Sequence, residues 1–286
     1  MSDSPIGLIG AGLLGSALAE RMLAAGCRLL AYDVERSHVQ RLEALGGEPA
    51  FSSAEVARFC DSIVLCLPDS RVVQAAVAEL ENYLQPRALL IDATTGDPAD
   101  TAALADRLAA RGIGYIDATV AGSSEQARRG EATVIIGGSE ADVRRAEIVL
   151  AAWSDKRFHV GPAGSGARLK LVVNLVLGLN RAALAEGLAL AKACGIELAG
   201  ALKVLQATPA YSSIMDAKGP KMIARDYSPQ ARLAQHLKDV RLIRELAQRH
   251  GARTPLSDVH AELLQRAVEL GYGEADNSAV IEAWGK

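Results

Sequence analysis

Cysteine is scarce and scattered: four residues, at 27, 60, 66 and 194, in a chain of 286, with no C-x-x-C pair among them. That spacing excludes the common structural zinc sites and reads as small buried apolar residues in a reducing compartment. The five histidines, His38, His159, His236, His250 and His260, share no ligand spacing either, so no metal is expected. Positive charge is not in excess: 31 Lys and Arg face 34 Asp and Glu, for a net charge of −3. A basic face for nucleic acid is therefore not expected. The longest apolar run, 171–179, is interrupted by Asn174 and is too short to span a bilayer. The opening residues lack the basic-then-apolar build of a signal peptide. Internal repeats and low-complexity segments are also missing. The expectation is a cytoplasmic protein with neither a membrane nor a nucleic-acid partner.

What is present is a strong alternation. The apolar run Ile6 to Ile9 ends in Gly10-Ala11-Gly12-Leu13-Leu14-Gly15, and a helical pattern from Ser16 to Ala25 follows, stopped by Gly26. G-x-G-x-x-G between a strand and a helix is a dinucleotide-binding pattern. Gly10 permits a tight turn, Gly12 lets backbone approach a pyrophosphate, and Gly15 lets the helix pack on the strand. A second strand, 28–32, ends in Asp33, where such folds place a ribose-binding acid. A carboxylate there favours NAD and repels the 2′-phosphate of NADP. Arg36, three residues on, could stack on adenine or pair with a phosphate, but reads first as a solvated helix-start residue.

Further strands are expected at 62–67, 88–92, 115–117, 132–137 and 157–160, with helices at 71–84, from 98 to 111 and at 140–152. Apolar strands alternating with helices imply a largely parallel sheet covered on both faces. Ligands then bind beyond the carboxyl ends of the strands. Four loops should converge there: 10–15, 67–70, 93–98 and 118–124. Leu67, Pro68 and Thr95 are therefore cofactor-binding candidates.

Beyond Gly161-Pro162 the strand pattern stops, which divides the chain into a dinucleotide-binding domain, 1–162, and an all-helical domain, 163–286. Helices are expected at 164–194, 198–206, 214–224, 231–250, 254–269 and 277–284, punctuated by Pro209, Gly219-Pro220, Pro229 and Gly251. The fold class is an α/β Rossmann-type doubly wound sheet followed by an all-α domain, the two joined by a long interdomain helix. That helix is apolar nearly all round, as a helix buried on most sides would be. Lys170 and Asn174 interrupt its greasiest part, four residues apart and so on one face. Taken alone, the lysine could simply reach its amine to solvent. Such a helix has more apolar surface than a small domain covers, so a homodimer or homotetramer is expected.

Five ordered motifs resemble those of the β-hydroxyacid dehydrogenase family, which includes 3-hydroxyisobutyrate dehydrogenases and 2-hydroxy-3-oxopropionate reductases. They are Gly7 to Gly15, like G-x-I-G-L-G-x-M-G; Asp92-Ala93-Thr94-Thr95-Gly96-Asp97-Pro98, like D-x-S-T-x-x-P; Asp117 to Ser123, like D-A-P-V-S-G-G; Gly161 to Asn174, like G-x-x-G-x-G-x-x-x-K-L-x-x-N; and Lys238-Asp239, like its K-D pair. The resemblance implies NAD or NADP as cofactor and a small carboxylate, a β-hydroxyacid or its semialdehyde, as substrate. It implies that Lys170 is the acid/base and that Asn174 helps hold the substrate. Thr95, Ala121, Gly122 and Ser123 would face substrate and nicotinamide, with Lys238 and Asp239 closing the site. The chain departs from the pattern at Thr119 for proline, Ala121 for serine, Ser123 for glycine and Ala231 for an aromatic residue. These departures are expected where substrate is read. Two other readings share the architecture: an imine reductase, and a non-catalytic NAD(H)-sensing module.

Overall fold

The computed structural model describes residues 4–285. Among them, eight strands form one sheet: β1 (Ile6–Ile9), β2 (Leu29–Tyr32), β3 (Glu48–Pro49), β4 (Ser62–Leu65), β5 (Leu89–Asp92), β6 (Gly114–Ala121), β7 (Thr133–Gly137) and β8 (Arg157–His159), in the order β3-β2-β1-β4-β5-β6-β7-β8. Every pairing is parallel except β6 with β7. The helices of this part are α1 (Leu13–Ala24), α2 (Arg36–Glu43), α3 (Ser53–Phe59), α4 (Ser70–Leu80), α5 (Pro98–Ala109), α6 (Ser124–Arg128), α7 (Glu140–Arg145) and α8 (Glu147–Trp153). Ser52, Asp69, Asp97 and Ser139 each accept a backbone N–H at the start of a helix, so short polar residues fix where α3, α4, α5 and α7 begin. Alternate strand residues point to opposite faces. Leu8, Ala31, Val64 and Ile91 pack with α1 and α8 on one side, and Ile9, Leu30, Ile63 and Leu90 pack with α3, α4 and α5 on the other. This is the doubly wound sheet expected. The chain runs outward from β1 through β2 to β3, then crosses back to lay β4 on the other side of β1, so the order reverses between β1 and β4 and the ligand crevice lies at their carboxyl ends.

Three expected boundaries in this part need correction. Residues 118–121 are not loop: β6 runs on to Ala121 because it finds a second partner, pairing antiparallel with β7 from Asp117↔Gly137 to Ala121↔Thr133. The single helix expected at 140–152 is two, meeting at Ala146. Helix α1 begins at Leu13, directly out of the glycine-rich turn.

The second part consists of helices: α9 (Ser165–Ala193), α10 (Leu198–Gln206), α11 (Ile214–Ala224), α12 (Leu233–Arg249) and α13 (Pro255–Ala267), then a π-helical turn and a 3₁₀ segment, Asn277–Trp284. Helix α11 has the expected bounds and carries Gly219-Pro220 inside it. The compact units divide after Lys170, a little beyond the change of period at 162. The reason is local. Asp117, buried at the middle of β6, accepts the backbone N–H groups of Gly164 and Ala167, each at 2.7 Å. The first turn of α9 is thereby bolted to the sheet.

Helix α9 is long and apolar enough, by length and composition alone, to cross a membrane. It is the core helix of its unit: Leu184, Ala185 and Leu188 pack with residues of α10 to α13. It is not buried on most sides, contrary to expectation. One face is buried, and along it the polar Lys170, Asn174 and Arg181 lie among Leu171, Leu184 and Leu188. Leu169, Val172, Val176 and Leu190 are 40–65% exposed. The helical unit has only enough partners to cover one face.

Candidate active site

The glycine-rich turn comes first. Gly10 has φ +95°, and a Cβ on it would meet the Cys66 carbonyl oxygen at 2.3 Å. A Cβ on Gly15 would meet the Gly10 carbonyl oxygen at 2.0 Å. Both glycines are required by the fold. Gly12 is different, because a Cβ there meets nothing within 4 Å. Its lack of a side chain serves approach from outside. Gly12 is also the N-cap of α1 and gives it no side-chain cap, so the amides of the first turn, with Leu13 and Leu14, face outward. Uncapped amides at a helix start, beside an open glycine, suit a pyrophosphate.

Asp33 follows β2. Its Oδ2 accepts the Ala11 N–H at 2.6 Å, and its Oδ1 accepts the Glu35 N–H at 2.8 Å. The carboxylate is thus fixed against the glycine-rich turn, with lone pairs remaining for ribose hydroxyls. Arg36 is exposed at the first position of α2. The residues present fit a nicotinamide dinucleotide.

The loops after β4 and β5 are laced to one another. Thr94 Oγ1 accepts the Leu67 N–H at 3.0 Å, and Ser70 Oγ accepts the Asp97 N–H at 2.7 Å. Asp92 holds Thr94 in turn, accepting its N–H at 2.8 Å and the Tyr115 hydroxyl at 2.6 Å. Burial pushes the Asp92 carboxyl up to about 6, against the hydrogen bonds from Thr94 and Tyr115 that lower it. Thr95 and Leu67 are half-buried beside this lacing and Pro68 is exposed. The residues that build the loops, Asp92, Thr94 and Ser70, were not among the expected site residues. Their signal was a polar residue at a strand end followed by a short turn.

At the end of β6, Ala121 and Ser123 are half-buried and Gly122 is exposed. Ser123 is the N-cap of α6 in a capping box with Gln126: Ser123 Oγ accepts the Gln126 N–H at 3.2 Å and the Gln126 side chain accepts the Ser123 N–H at 2.9 Å. The pattern Ser-Ser-Glu-Gln made that cap legible. The Ser123 hydroxyl proton is left to donate. Thr119 does not belong with the substrate-reading departures. It is fully buried, and its hydroxyl lies 3.3 Å from the Ile135 carbonyl and 3.4 Å from that of Gly166. A Cβ on Gly166 would meet Asp117 Oδ2 at 2.7 Å. Gly166 in the G-x-G pattern thus admits close packing of α9 on β7. Burial raises Asp117 even though several backbone N–H groups oppose the rise. Lys170, in the next turn of α9, is buried, at 6% exposure. The solvent-reaching alternative for its amine does not hold in this fold.

In the helical unit, Asn174 is buried and its Nδ2 donates to Asp239 Oδ2 at 2.9 Å. Lys238 Nζ lies 2.9 Å from Asp239 Oδ1. Asp239 therefore dictates the amide's orientation, and Asn174 turns its Oδ1, an acceptor, the other way. Further along the same face, a Cβ on Gly178 would come within 2.6 Å of both His236 and His260. Those two rings stand 5.2 Å apart, brought together from positions with no common spacing. Arg181 is 1% exposed, and its Nε and Nη2 have no hydrogen-bond partner. Burial pulls it down to about 10, while Asp276 and Asp239 resist. Burial and Arg181 together hold His260 down at about 4. Sequence reading missed Arg181 because a lone arginine in a long helix carries no signal of burial. Ala231, another of the departures, has its N–H bonded to buried Asp276 at 3.2 Å. Among the described residues, no group of three or more His, Cys, Asp or Glu is placed to hold a metal ion.

Comparison with known proteins gives matches over both parts. Residues 5–161 match the NAD-binding domain of 6-phosphogluconate dehydrogenase, and residues 164–284 match the NAD-binding family model of NADP-dependent 3-hydroxyisobutyrate dehydrogenase. The chain is 30% identical over 281 residues to L-threonate dehydrogenase of Cupriavidus necator, across 97% of this chain and 95% of that one. It is 29% identical to 2-(hydroxymethyl)glutarate dehydrogenase of Eubacterium barkeri, across 98% and 94% of the two chains. The crystal structure of a 3-hydroxyisobutyrate dehydrogenase from Salmonella typhimurium superposes with a TM-score of 0.91 at 28% identity, covering 98% of this chain and 99% of that one.

Proposed function

The chain belongs to the β-hydroxyacid dehydrogenase family, and on that premise we propose that it oxidises a small β-hydroxyacid, or reduces its semialdehyde, with Lys170 as the proton-transferring group. The class is that of NAD(P)-dependent oxidoreductases acting on hydroxyacids. The observation that carries the residue assignment is the buried face of α9. Lys170 and Asn174 stand one turn apart, both withdrawn from solvent, with the Asn174 amide held by Asp239.

When bound, the dinucleotide accepts a hydride from the substrate carbon, or in reduced form donates one. The chain's own residues handle the proton. In the reducing direction the Lys170 ammonium polarises the carbonyl and protonates the oxygen as negative charge develops on it. In the oxidising direction the neutral amine takes the hydroxyl proton. Such general acid–base catalysis typically contributes about 10²–10⁴-fold. Asn174 offers Oδ1 to the substrate hydroxyl or to the ammonium. Gly12 and the first-turn amides of α1 receive the pyrophosphate and Asp33 the ribose, which favours NAD over NADP. Thr95, Ala121, Gly122 and Ser123 are the substrate-side candidates of the sheet unit, and Lys238 and Asp239 those of the helical unit.

The relatives named above act on hydroxylated carboxylic acids, which supports that class for this chain. Ala121 in place of serine removes one hydroxyl donor for the carboxylate, and Ser123 supplies one nearby. The exchange moves a hydroxyl donor along the loop, so a substrate other than 3-hydroxyisobutyrate follows from it.

Lys170→Ala is the direct test. Turnover followed at 340 nm with a panel of hydroxyacids, semialdehydes and a cyclic imine should fall at least a hundredfold, with NADH affinity unchanged. Near-normal turnover, or lost NADH binding, sinks the assignment. Turnover of the imine alone would favour the imine reductase reading, and tight NADH binding without any turnover the sensor.

The exposed apolar side of α9 supports a homodimer or homotetramer, to be checked by light scattering. Four cysteines, all free, support a reducing compartment, the cytoplasm.

A further inference from the structure

One titratable group beside the dinucleotide loop has no part in the reading so far. His38 lies in the first turns of α2, and its Nδ1 stands 3.3 Å from Asp33 Oδ2. The Asp33 side chain is 10% exposed and that of His38 is 30% exposed. The contact lacks the alignment of a hydrogen bond, and Nδ1 is buried without another hydrogen-bond partner. Asp33 Oδ2 is the same atom that takes the Ala11 N–H of the glycine-rich turn. A proton on His38 therefore changes the charge at the acid that reads the ribose.

Other charged groups do not duplicate this. Helix α2 packs against β2, β3 and α1. On α1 the charged side chains are Glu20, paired with Arg128, and Arg21, bonded to the Ala152 carbonyl. On β3, Glu48 is paired with Arg28, which precedes β2. Tyr32 is the titratable residue of β2. On α2 itself, Arg36 and Arg41 are exposed, and the Glu35 side chain caps the helix by accepting the Ser37 N–H. Imidazole is the side chain that ordinarily changes charge between about pH 5 and 8.

We propose that His38 is a specificity-determining residue for the cofactor: with His38 neutral, Asp33 keeps its full charge and repels a 2′-phosphate, and with His38 protonated that charge is offset and NADPH is admitted. The proposal rests on the reading of Asp33 as the ribose acceptor. Discrimination between the two dinucleotides is then graded by pH, strongest in mild alkali.

The test is binding, not turnover. Dissociation constants for NADH and NADPH are measured by nucleotide fluorescence at pH 6.0 and 8.5, for the native chain and for H38N, H38K and D33N. The 2′-phosphate itself takes up a proton near pH 6, so the native ratio Kd(NADPH)/Kd(NADH) should fall on acidification by more than the H38N ratio does. The expected excess is about fivefold, the size of one partly exposed ion pair. H38K, charged at both pH values, should show a low ratio at both. D33N should show a low ratio in which His38 no longer matters. If H38N and H38K track the native chain within twofold while D33N collapses the ratio, the His38 proposal is overturned and the reading of Asp33 stands. If D33N leaves the ratio unchanged, the reading of Asp33 fails first.

Discussion

At the carboxyl ends of the strands, polar side chains are spent on backbone. Asp33 takes two amides, Thr94 one, Ser70 one and Asp117 two. On the buried face of α9, polar side chains meet other side chains: Asn174 meets Asp239, His236 meets His260, and the Arg181 Nε and Nη2 atoms have no hydrogen-bond partner. The first arrangement fixes loops whatever approaches them. The second sets charged and amide groups against one another within a low-dielectric core, where they are electrostatically strong and costly. Rigidity lies on the sheet side and reactive potential on the helix side. Asp117 is the joint at the start of α9, because it secures the turn that leads directly to Lys170.

The largest expected effect comes from breaking that joint. Asp117→Ala leaves two buried amides unpaired, each costing about 1–3 kcal/mol, so a loss of roughly 3–5 kcal/mol is expected. Asp117→Asn keeps one acceptor and should lose about half as much. Urea unfolding midpoints measure both. An Asp117→Ala chain as stable as the parent would mean that α9 does not depend on the sheet for its start.

This division also explains what could be read from residues alone. The sheet-side site follows from neighbours in sequence: Gly10, Gly12 and Gly15 in one turn, Asp33 at the next strand's end, Ser123 and Gln126 in one capping box. Backbone-directed interactions are local, so their spacing is written in the chain. The helix-side partners come from far apart: Asn174 and Asp239 are 65 residues apart in the chain, and His236 and His260 sit on different helices. No spacing rule connects them: Asn174 and Asp239 were named as site residues through the family motifs, but not as partners of each other. The extension of β6 was missed for the same reason, since a strand ends where its last partner ends and β7 lies after an intervening helix. The exposed side of α9 was missed because composition counts apolar residues without saying how many faces a small domain can cover.

The two regions should also respond to pH with opposite sign. Burial raises Asp92 from 3.8 to about 6, so its contribution is full below about pH 4 and is lost as pH rises through 6. His260 is lowered from 6.5 to about 4, so its contribution is full above about pH 6.5 and is lost as pH falls through 4. Each is worth on the order of 2–3 kcal/mol across its window. Acting together they flatten the wild-type profile between pH 4 and 6.5. Asp92→Asn should leave a chain that gains stability with rising pH there, and His260→Phe one that loses it. Parallel profiles for the two variants would erase the contrast.

The smallest effects separate glycines that the fold needs from the one that a ligand needs. Gly15→Ala drives a Cβ into the Gly10 carbonyl, which is backbone and cannot turn aside. Gly178→Ala drives one into two imidazole rings, which can. Overpacking of this kind costs about 1–3 kcal/mol, with Gly15→Ala at the upper end and Gly178→Ala at the lower. Gly12→Ala meets no atom of the chain. Its thermal midpoint should stay within about 1 °C of the parent or rise slightly, because alanine restricts the unfolded chain. Its NADH affinity should drop about tenfold, because the added methyl stands where the pyrophosphate has to approach. Thermal scans with and without NADH at a concentration near the parent's Kd resolve the three variants, since a ligand at concentration L that binds only the folded state stabilises it by RT ln(1 + L/Kd). Gly12→Ala should unfold like the parent alone and lose most of the NADH-induced rise. If it keeps the full rise, the open space at Gly12 is not where the cofactor lies, and the sheet-side site is rigid for some other purpose.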